Sequence, residues 1–295
     1  MELVRRIHLM REVSREARGK GKKLSLVPTM GALHDGHLAL VRRARELSDL
    51  VVVSVFVNPK QFGPAEDYAR YPRDLGRDAD LCIQEGVDYL FAPEAEEMYS
   101  AGFRTFVDVE GLSAVLEGAS RAGHFRGVCT VVLKLFNIVR PQFAVFGQKD
   151  AQQAVIIRRM MRDLNTDIEL VIAPTVRDDD GLALSSRNAY LSREERVAAG
   201  VLHRALERAR AMVEEEGVRD GRQVEAAVRH ILEGEPRARV DYVAVVDMET
   251  LERHDTIDGE TVVPIAVWIG NTRLIDNVIV RPGRLAGRTG TGEAS

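Results

Sequence analysis

Along the first 175 residues, short apolar runs rich in β-branched side chains alternate with longer stretches in which apolar positions recur every three or four residues. The runs KLSLVPTM, DLVVVSVFVNP, VDYLFAP, FAVFGQKD and IELVIAPTVR read as strands. HLALVRRARELS, RDADLCIQEG and DAQQAVIIRRMMRDLN, lying between them, read as helices, the first with Leu38, Val41, Ala44 and Leu47 on its sheet-facing side. This alternation predicts βαβ units around a parallel sheet, an open, doubly wound α/β domain over residues 1–175. In such a domain ligands belong at the carboxyl ends of the strands.

The pattern changes at TVRDDDGLALSSRNAYLSREERVAAG, which is polar and rich in turns. Ser192 and Glu195 have capping-box spacing, and Val197, Val201, Leu202, Ala205, Leu206, Ala209, Met212 and Val213 trace one helical stripe that stops at Gly217. A second helix is predicted from Gly221 to Leu232, followed by strands at VDYVAVVD, VVPIAVWIG and LIDNVIV. Residues 176–283 are therefore expected to form a smaller α+β domain with an antiparallel sheet. The stretch from Arg284 to Ser295 is Gly- and Thr-rich without periodicity and is expected to be disordered.

Composition narrows the class. The 41 Lys and Arg against 45 Asp and Glu give a net charge of −4. That balance excludes a general nucleic-acid binder held by backbone phosphates, so any anion site must be local. Cys82 and Cys129 are the only cysteines, too few for a disulfide scaffold or a Cys-rich zinc site, and Cys129 reads as packing. No apolar run is long enough for a signal peptide or a membrane span, and a cytoplasmic, soluble protein is expected.

Candidate chemistry sits where strands give way to helices. In PTMGALHDGHLALV the segment MGALHDGH must turn from strand to helix, and the free N–H groups and positive dipole end of the helix make a natural phosphate cradle. His34 and His37, three residues apart, share a helix face. They could be metal ligands, phosphate donors or ordinary cap residues; a zinc site would need a third ligand and usually the i, i+4 spacing of H-E-x-x-H, which is absent. Asn58 and Gln61 in VNPKQFG are neutral amides at a strand end, suited to reading hydroxyl and carboxylate oxygens, or simply turn residues. In FGQKDAQQ, Lys149 can act as a point charge toward phosphate, or stand solvated with Asp150 as a cap. Ser185, Ser186 and Arg187 join two hydroxyls to a planar phosphate-matching donor, or form a polar linker. Arg121, His124 and Arg126 make a cationic cluster ahead of an apolar helix. No Walker loop occurs, and GKGKK at 19–23 reads as a solvated loop.

Together these signals favour a nucleoside triphosphate site. PTMGALHDGH carries the H-x-G-H of the nucleotidyltransferase superfamily that includes class I aminoacyl-tRNA synthetases, and LSSR resembles its second phosphate loop. More narrowly, PTMGALHDGHLALV, VSVFVNPKQFGPAEDYARYPRD, GHFRGVCTVVLKLFNIVRPQFAVFGQKDAQQ, DGLALSSRNAYL and RLIDNVIV, in this order from Leu24 to Val280, resemble the pantoate–β-alanine ligase family.

That resemblance implies a Rossmann-like domain that uses ATP and Mg²⁺ to join pantoate to β-alanine through pantoyl adenylate, releasing pyrophosphate and then AMP. His34 and His37 would contact the triphosphate, with His37 as the catalytic acid, and Met30, Gly31, Ala32, Leu33, Asp35 and Gly36 would line ATP with them. Gly147, Gln148, Lys149 and Asp150 would contact the nucleotide and Val176 the adenine through its backbone. Leu184, Ser185, Ser186 and Arg187 would fold over the phosphates, opposite Lys149. Gln61 and Gln153 would hold pantoate, Gln61 also lying near β-alanine, with Asn58, Tyr71 and His124 in support. Family members often carry an acidic pair after YPR as magnesium ligands; here RDLGRDAD leaves Asp78, beside Arg77, as the metal candidate. The resemblance also implies a homodimer, while the charge balance and the short apolar runs imply no nucleic-acid or membrane partner. The competing readings are a nucleotidyltransferase acting on a phosphate-bearing acceptor, for which neutral Gln61 and Gln153 are poorly suited, and a non-catalytic nucleotide-binding protein.

Overall fold

The structure, a computed structural model, describes residues 1–64 and 66–282. The tail expected to be disordered, Arg284 to Ser295, lies outside the described residues. The chain opens with an edge strand, β1 (Glu2–Val4), and a helix, α1 (Ile7–Gly19). Then follow β2 (Leu24–Thr29), α2 (Asp35–Leu47), β3 (Leu50–Val55), α3 (Leu75–Gln84), β4 (Tyr89–Phe91) and the short helices α4 (Ala95–Met98) and α5 (Glu117–Ser120). The first half closes with α6 (His124–Val139), β5 (Phe143–Gly147), α7 (Ala151–Asp163) and β6 (Glu169–Ala173).

These strands form one parallel sheet in the order β1-β4-β3-β2-β5-β6. Period-2 alternation sends Leu24, Leu26, Val52, Ala144 and Phe146 to a core shared with α1, α6 and α7. Val27, Val51, Val53, Leu90 and Val145 go to the other face, against α2 and α3. In α2, Leu38, Val41 and Ala44 are buried as their spacing predicts. At roughly 1.5–3 kcal/mol for each large apolar side chain buried, such a stripe fixes where the helix begins.

Chain order reverses between β2 and β5, a topological switch point at which doubly wound sheets leave a crevice. Here the crevice is widened by sequence. β2 pairs with β3 from Leu24 to Thr29 but with β5 only at Ser25 and Leu26. Pro28, having no N–H, cannot continue a ladder toward β5.

The second half contains α8 (Arg193–Ala198), α9 (Val201–Arg210), a π turn (Ala211–Glu215), α10 (Gly221–Glu233), and β7 (Ala238–Val243), β8 (Val246–Asp247), β9 (Thr261–Ile269) and β10 (Thr272–Val280), paired antiparallel. The Ser192–Glu195 capping box is present. The single stripe expected from Val197 to Val213 is corrected: the helix is interrupted between Ala198 and Val201, leaving Val197 73% exposed while Val201 onward packs on the sheet. A smaller cluster, with Ala151 and Val155 of α7 against Val246, Met248, Leu251 and Val262, joins the two sheets. No helix among the described residues is long and apolar enough to cross a membrane.

Candidate active site

A cavity of about 730 Å³ lies over the switch point, walled by the ends of β2 and β5, by Gln61 and the 66–71 segment, by the 184–190 loop and by β10. Its floor is the N-terminus of α2. Gly31, with φ +82°, starts the turn; a Cβ there would lie 2.8 Å from Asp78 Oδ2 and 2.9 Å from Val55 Cγ1. His34 is the N-cap, and its Nδ1 accepts the Gly36 N–H at 3.2 Å. The His37 Nδ1 in turn accepts the His34 N–H at 3.3 Å, and the two ring centroids lie 4.1 Å apart.

This reciprocal capping sets the chemistry of both rings. Each Nδ1 is an acceptor, so the neutral ring carries its proton on Nε2. Burial, and then the charge of Lys149, lowers the His34 pKa to about 4. Burial, then His34 and Lys149, lowers that of His37 to about 3. At neutral pH both are uncharged Nε2–H donors at a positive helix end. Gly36 is needed because the His34 ring covers it: a Cβ would sit 2.9 Å from ring Nδ1 and Cε1. Gly36→Ala is expected to cost roughly 1–3 kcal/mol of stability, typical of overpacking, and to weaken ATP binding. Urea unfolding and titration calorimetry check this; unchanged values in both would mean the ring moves aside freely.

Met30, His34, Gly36 and His37 face the cavity, whereas Gly31, Ala32, Leu33 and Asp35 do not. Leu33 is a core residue and Asp35 points outward. Their part in the cradle is backbone shape. Asp78 is corrected as the metal candidate. It is buried behind the loop, where its carboxylate accepts from the Ala32 N–H at 3.0 Å and the Leu33 N–H at 2.8 Å. Its lone pairs are directed at the backbone, and it does not line the cavity. Among the described residues no group of three or more His, Cys, Asp or Glu side chains could hold a metal ion.

On the second wall, Gln61 and Gln153 line the cavity. Asn58, grouped with the substrate-binding residues in a supporting part, is fully buried, does not line the cavity and supports Gln61. Its Nδ2 donates to Gln61 Oε1 at 3.0 Å and to the Gly127 carbonyl at 3.1 Å, while its Oδ1 accepts from Tyr99 OH at 2.7 Å. His124 lines the cavity and acts similarly on the backbone, its Nδ1–H donating to the Gln61 carbonyl at 2.8 Å. Its Nε2 receives Arg121 Nη1 at 3.0 Å, and burial, then Arg121, lowers its pKa to about 4. The neighbouring Gln152 is structural, bonded to the backbone of Leu112, Val115 and Glu117, so only Gln153 of that pair reaches the cavity.

On the third wall, Gly147, Lys149 and Asp150 face inward, but Gln148 is corrected: its side chain turns to Asn277 Oδ1, at 3.4 Å, and away from the cavity. Val176 lines the cavity and its carbonyl already accepts the Leu184 N–H at 3.0 Å. Leu184, Ser185, Ser186 and Arg187 also line it, and Leu184 Cβ is 3.6 Å from where a Gly36 Cβ would lie, so this loop meets the α2 N-terminus. Tyr71 OH is 3.3 Å from Ser186 Oγ.

Sequence reasoning missed the carboxylates that hold the cations. Asp67 grips Arg187 through two bonds, 3.1 and 3.0 Å, and Glu66 grips Arg121 at 2.7 and 2.9 Å. Glu117 takes both terminal nitrogens of Arg273, at 2.7 and 2.8 Å, with Asp241 sharing that guanidinium. The available signal was the polar trio Arg273, Asp276 and Asn277 inside an otherwise apolar strand.

Neutral donors at a helix start, a cavity-lining lysine and a Ser-Ser-Arg loop, all beside two glutamines, fit a nucleoside triphosphate next to a small hydroxylated acid. The family model described as pantoate-beta-alanine ligase matches residues 2–279. The chain belongs to the pantoate-beta-alanine ligase family. Among its relatives, the pantothenate synthetase of Moorella thermoacetica is 55% identical over 95% of this chain and 99% of that one. The pantothenate synthetase of Pelotomaculum thermopropionicum is 57% identical over 92% and 96%. The solved pantoate-beta-alanine ligase of Thermus thermophilus superposes with a TM-score of 0.91 at 50% identity, covering 96% of this chain and all of that one. The Francisella tularensis ligase, solved in complex with beta-gamma ATP and beta-alanine, gives 0.78 at 32% identity, covering 95% and 97%. The parallel sheet with its small antiparallel companion is thus the fold of this ligase family.

Proposed function

We propose that the chain condenses pantoate with β-alanine in two steps at this cavity. A pantoate carboxylate oxygen attacks the α-phosphorus of ATP, and the bond from that phosphorus to the bridging oxygen breaks, giving pantoyl adenylate and pyrophosphate. The β-alanine amine then attacks the acyl carbon and loses a proton as the bond to AMP breaks. The observation that carries this reading is the convergence of the two Nε2–H donors, Lys149 and the 184–187 loop on one cavity that Gln61 and Gln153 share.

Displacement at phosphorus needs alignment and charge stabilisation more than a protein nucleophile. His34 and His37 donate hydrogen bonds to phosphate oxygens; a ring with its pKa near 3 serves as a neutral donor rather than as an imidazolium acid. Lys149 neutralises the leaving pyrophosphate, and Ser185, Ser186 and Arg187 cover it. Val176 reads the adenine through its backbone. Gln61, oriented by Asn58, and Gln153 bind pantoate. With Asp78 committed to the backbone, Asp150, which lines the cavity beside Lys149, is the carboxylate that would hold a magnesium ion brought in with the triphosphate. When bound, that ion adds charge stabilisation to the phosphate chain. A homodimer completes this reading, and analytical ultracentrifugation tests it.

Purified protein given pantoate, ATP and Mg²⁺ without β-alanine is expected to exchange labelled pyrophosphate into ATP. Folded, ATP-binding protein that gave no exchange would remove the adenylate mechanism, and exchange independent of pantoate would favour nucleotidyl transfer to another acceptor.

A further inference from the structure

Lys149 must hold its ammonium group at a fixed place, yet it sits in a short turn, Gln148–Asp150, between β5 and α7. What steadies this turn comes from the other sheet. Asn277 on β10 is 2% exposed, and its single amide nitrogen donates to the Gln148 carbonyl at 3.0 Å and to the Lys149 carbonyl at 2.9 Å. Its Oδ1 accepts from Gln148 Nε2 at 3.4 Å. The amide thus meets both the backbone and the first side chain of the turn.

Asn277 is itself held. Its N–H donates to Asp276 Oδ1 at 2.8 Å, and the Asp276 carboxylate, 2% exposed, is gripped by both terminal nitrogens of Arg177 at 2.6 and 3.0 Å. Arg177 also donates to the Gly181 carbonyl at 3.0 Å and forms a β-bridge with Ala183, the residue before the 184–187 loop. One pair of adjacent polar residues on β10 therefore connects two phosphate-facing elements, the lysine turn and the Ser-Ser-Arg loop. Buried charge and amide groups are costly unless fully bonded, and a strand needing only packing would carry apolar residues here.

We propose that Asn277, braced by Asp276 and Arg177, is a positioning residue that sets the Lys149 ammonium against the triphosphate. This rests on the adenylate-forming reading given above. An asparagine suits the role because one amide nitrogen supplies both donors; aspartate would present an acceptor to two carbonyls, and leucine would leave both carbonyls without this partner.

The test uses pantoate-dependent pyrophosphate exchange in wild type, Asn277→Leu, Asn277→Ser, Lys149→Ala and the Lys149→Ala/Asn277→Leu double variant. Asn277→Leu is expected to lower the exchange kcat about 10- to 100-fold, the scale on which misplacement of a catalytic group acts, with the pantoate KM within about two-fold of wild type. Asn277→Ser, which retains one donor and leaves room for water, should fold and fall between. In the Lys149→Ala background the leucine change should cost less than about two-fold, because the group being positioned is gone. Equal losses in both backgrounds, or wild-type exchange in either folded single variant, would overturn the assignment. If Asn277→Leu does not fold, the serine change is placed in the Lys149→Ala background and the same comparison decides. Absence of exchange in wild type instead overturns the adenylate reading itself.

Discussion

Lys149→Ala is expected to lower the rate of pyrophosphate release about 10²- to 10³-fold, the range found when one preorganised transition-state donor is removed. The charge of this lysine helps depress the pKa values of both His34 and His37, behind burial as the main cause. Lys149 lines the same cavity as both rings, where the phosphate chain would lie. Its worth should be concentrated in the transition state, where charge builds on the leaving pyrophosphate, so kcat should fall more than the ATP KM rises. Fold should be preserved, because Lys149 is held by its backbone and its side chain faces the cavity. Single-turnover measurement of pyrophosphate release checks the rate, and circular dichroism the fold. A folded variant within about five-fold of wild type would remove Lys149 from the chemistry.

Much of this arrangement was legible because it is local. The apolar run of β2, the glycines after it and the periodic stripe of α2 lie within about twenty residues, and each signals the next. β1 escaped notice because three residues carry no period. Asp78 misled for a different reason. It was read by its chemical type, although its position, four residues before Cys82 on the same buried helix face, marked it as inward-facing. The partners of Arg121 and Arg187 could not be read, since Glu66 and Asp67 are 55 and 120 residues away from them in sequence. Asn58 could be placed near the site in a supporting part without its partners being legible, and Gln148 was placed there with the wrong work. An amide's role depends on which neighbours take its donors, and those neighbours, Gly127, Tyr99 and Asn277, are set by tertiary packing.

The protein should lose stability steeply between about pH 6 and pH 4.5, before ordinary carboxylates titrate. His34, His37 and His124 have folded pKa values of about 4, 3 and 4, all lowered chiefly by burial from the usual 6.5. Above about pH 7.5 the three are neutral in folded and unfolded chains alike and contribute no pH dependence. As pH falls, the unfolded chain takes up three protons that the folded chain refuses, so unfolding is favoured. Linkage sets an upper slope of about 4 kcal/mol per pH unit for three protons, and the partly exposed His34 brings the expectation nearer 3. Against a typical stability of roughly 5–15 kcal/mol, one or two pH units decide whether the protein is folded. Burial raises the pKa of Asp78, which acts in the opposite sense and offsets part of this slope. Urea unfolding at pH 7.0, 5.5 and 4.8 measures the slope, and His124→Asn, which can keep the bond to the Gln61 carbonyl, should reduce it by about one third. A flat stability from pH 7 to 5, or an unchanged slope in that variant, would refute the linkage. Activity follows from the same pKa values: both Nε2–H donors persist wherever the chain is folded, so the acidic limb of the rate profile should coincide with unfolding and show no separate step near pH 6.5.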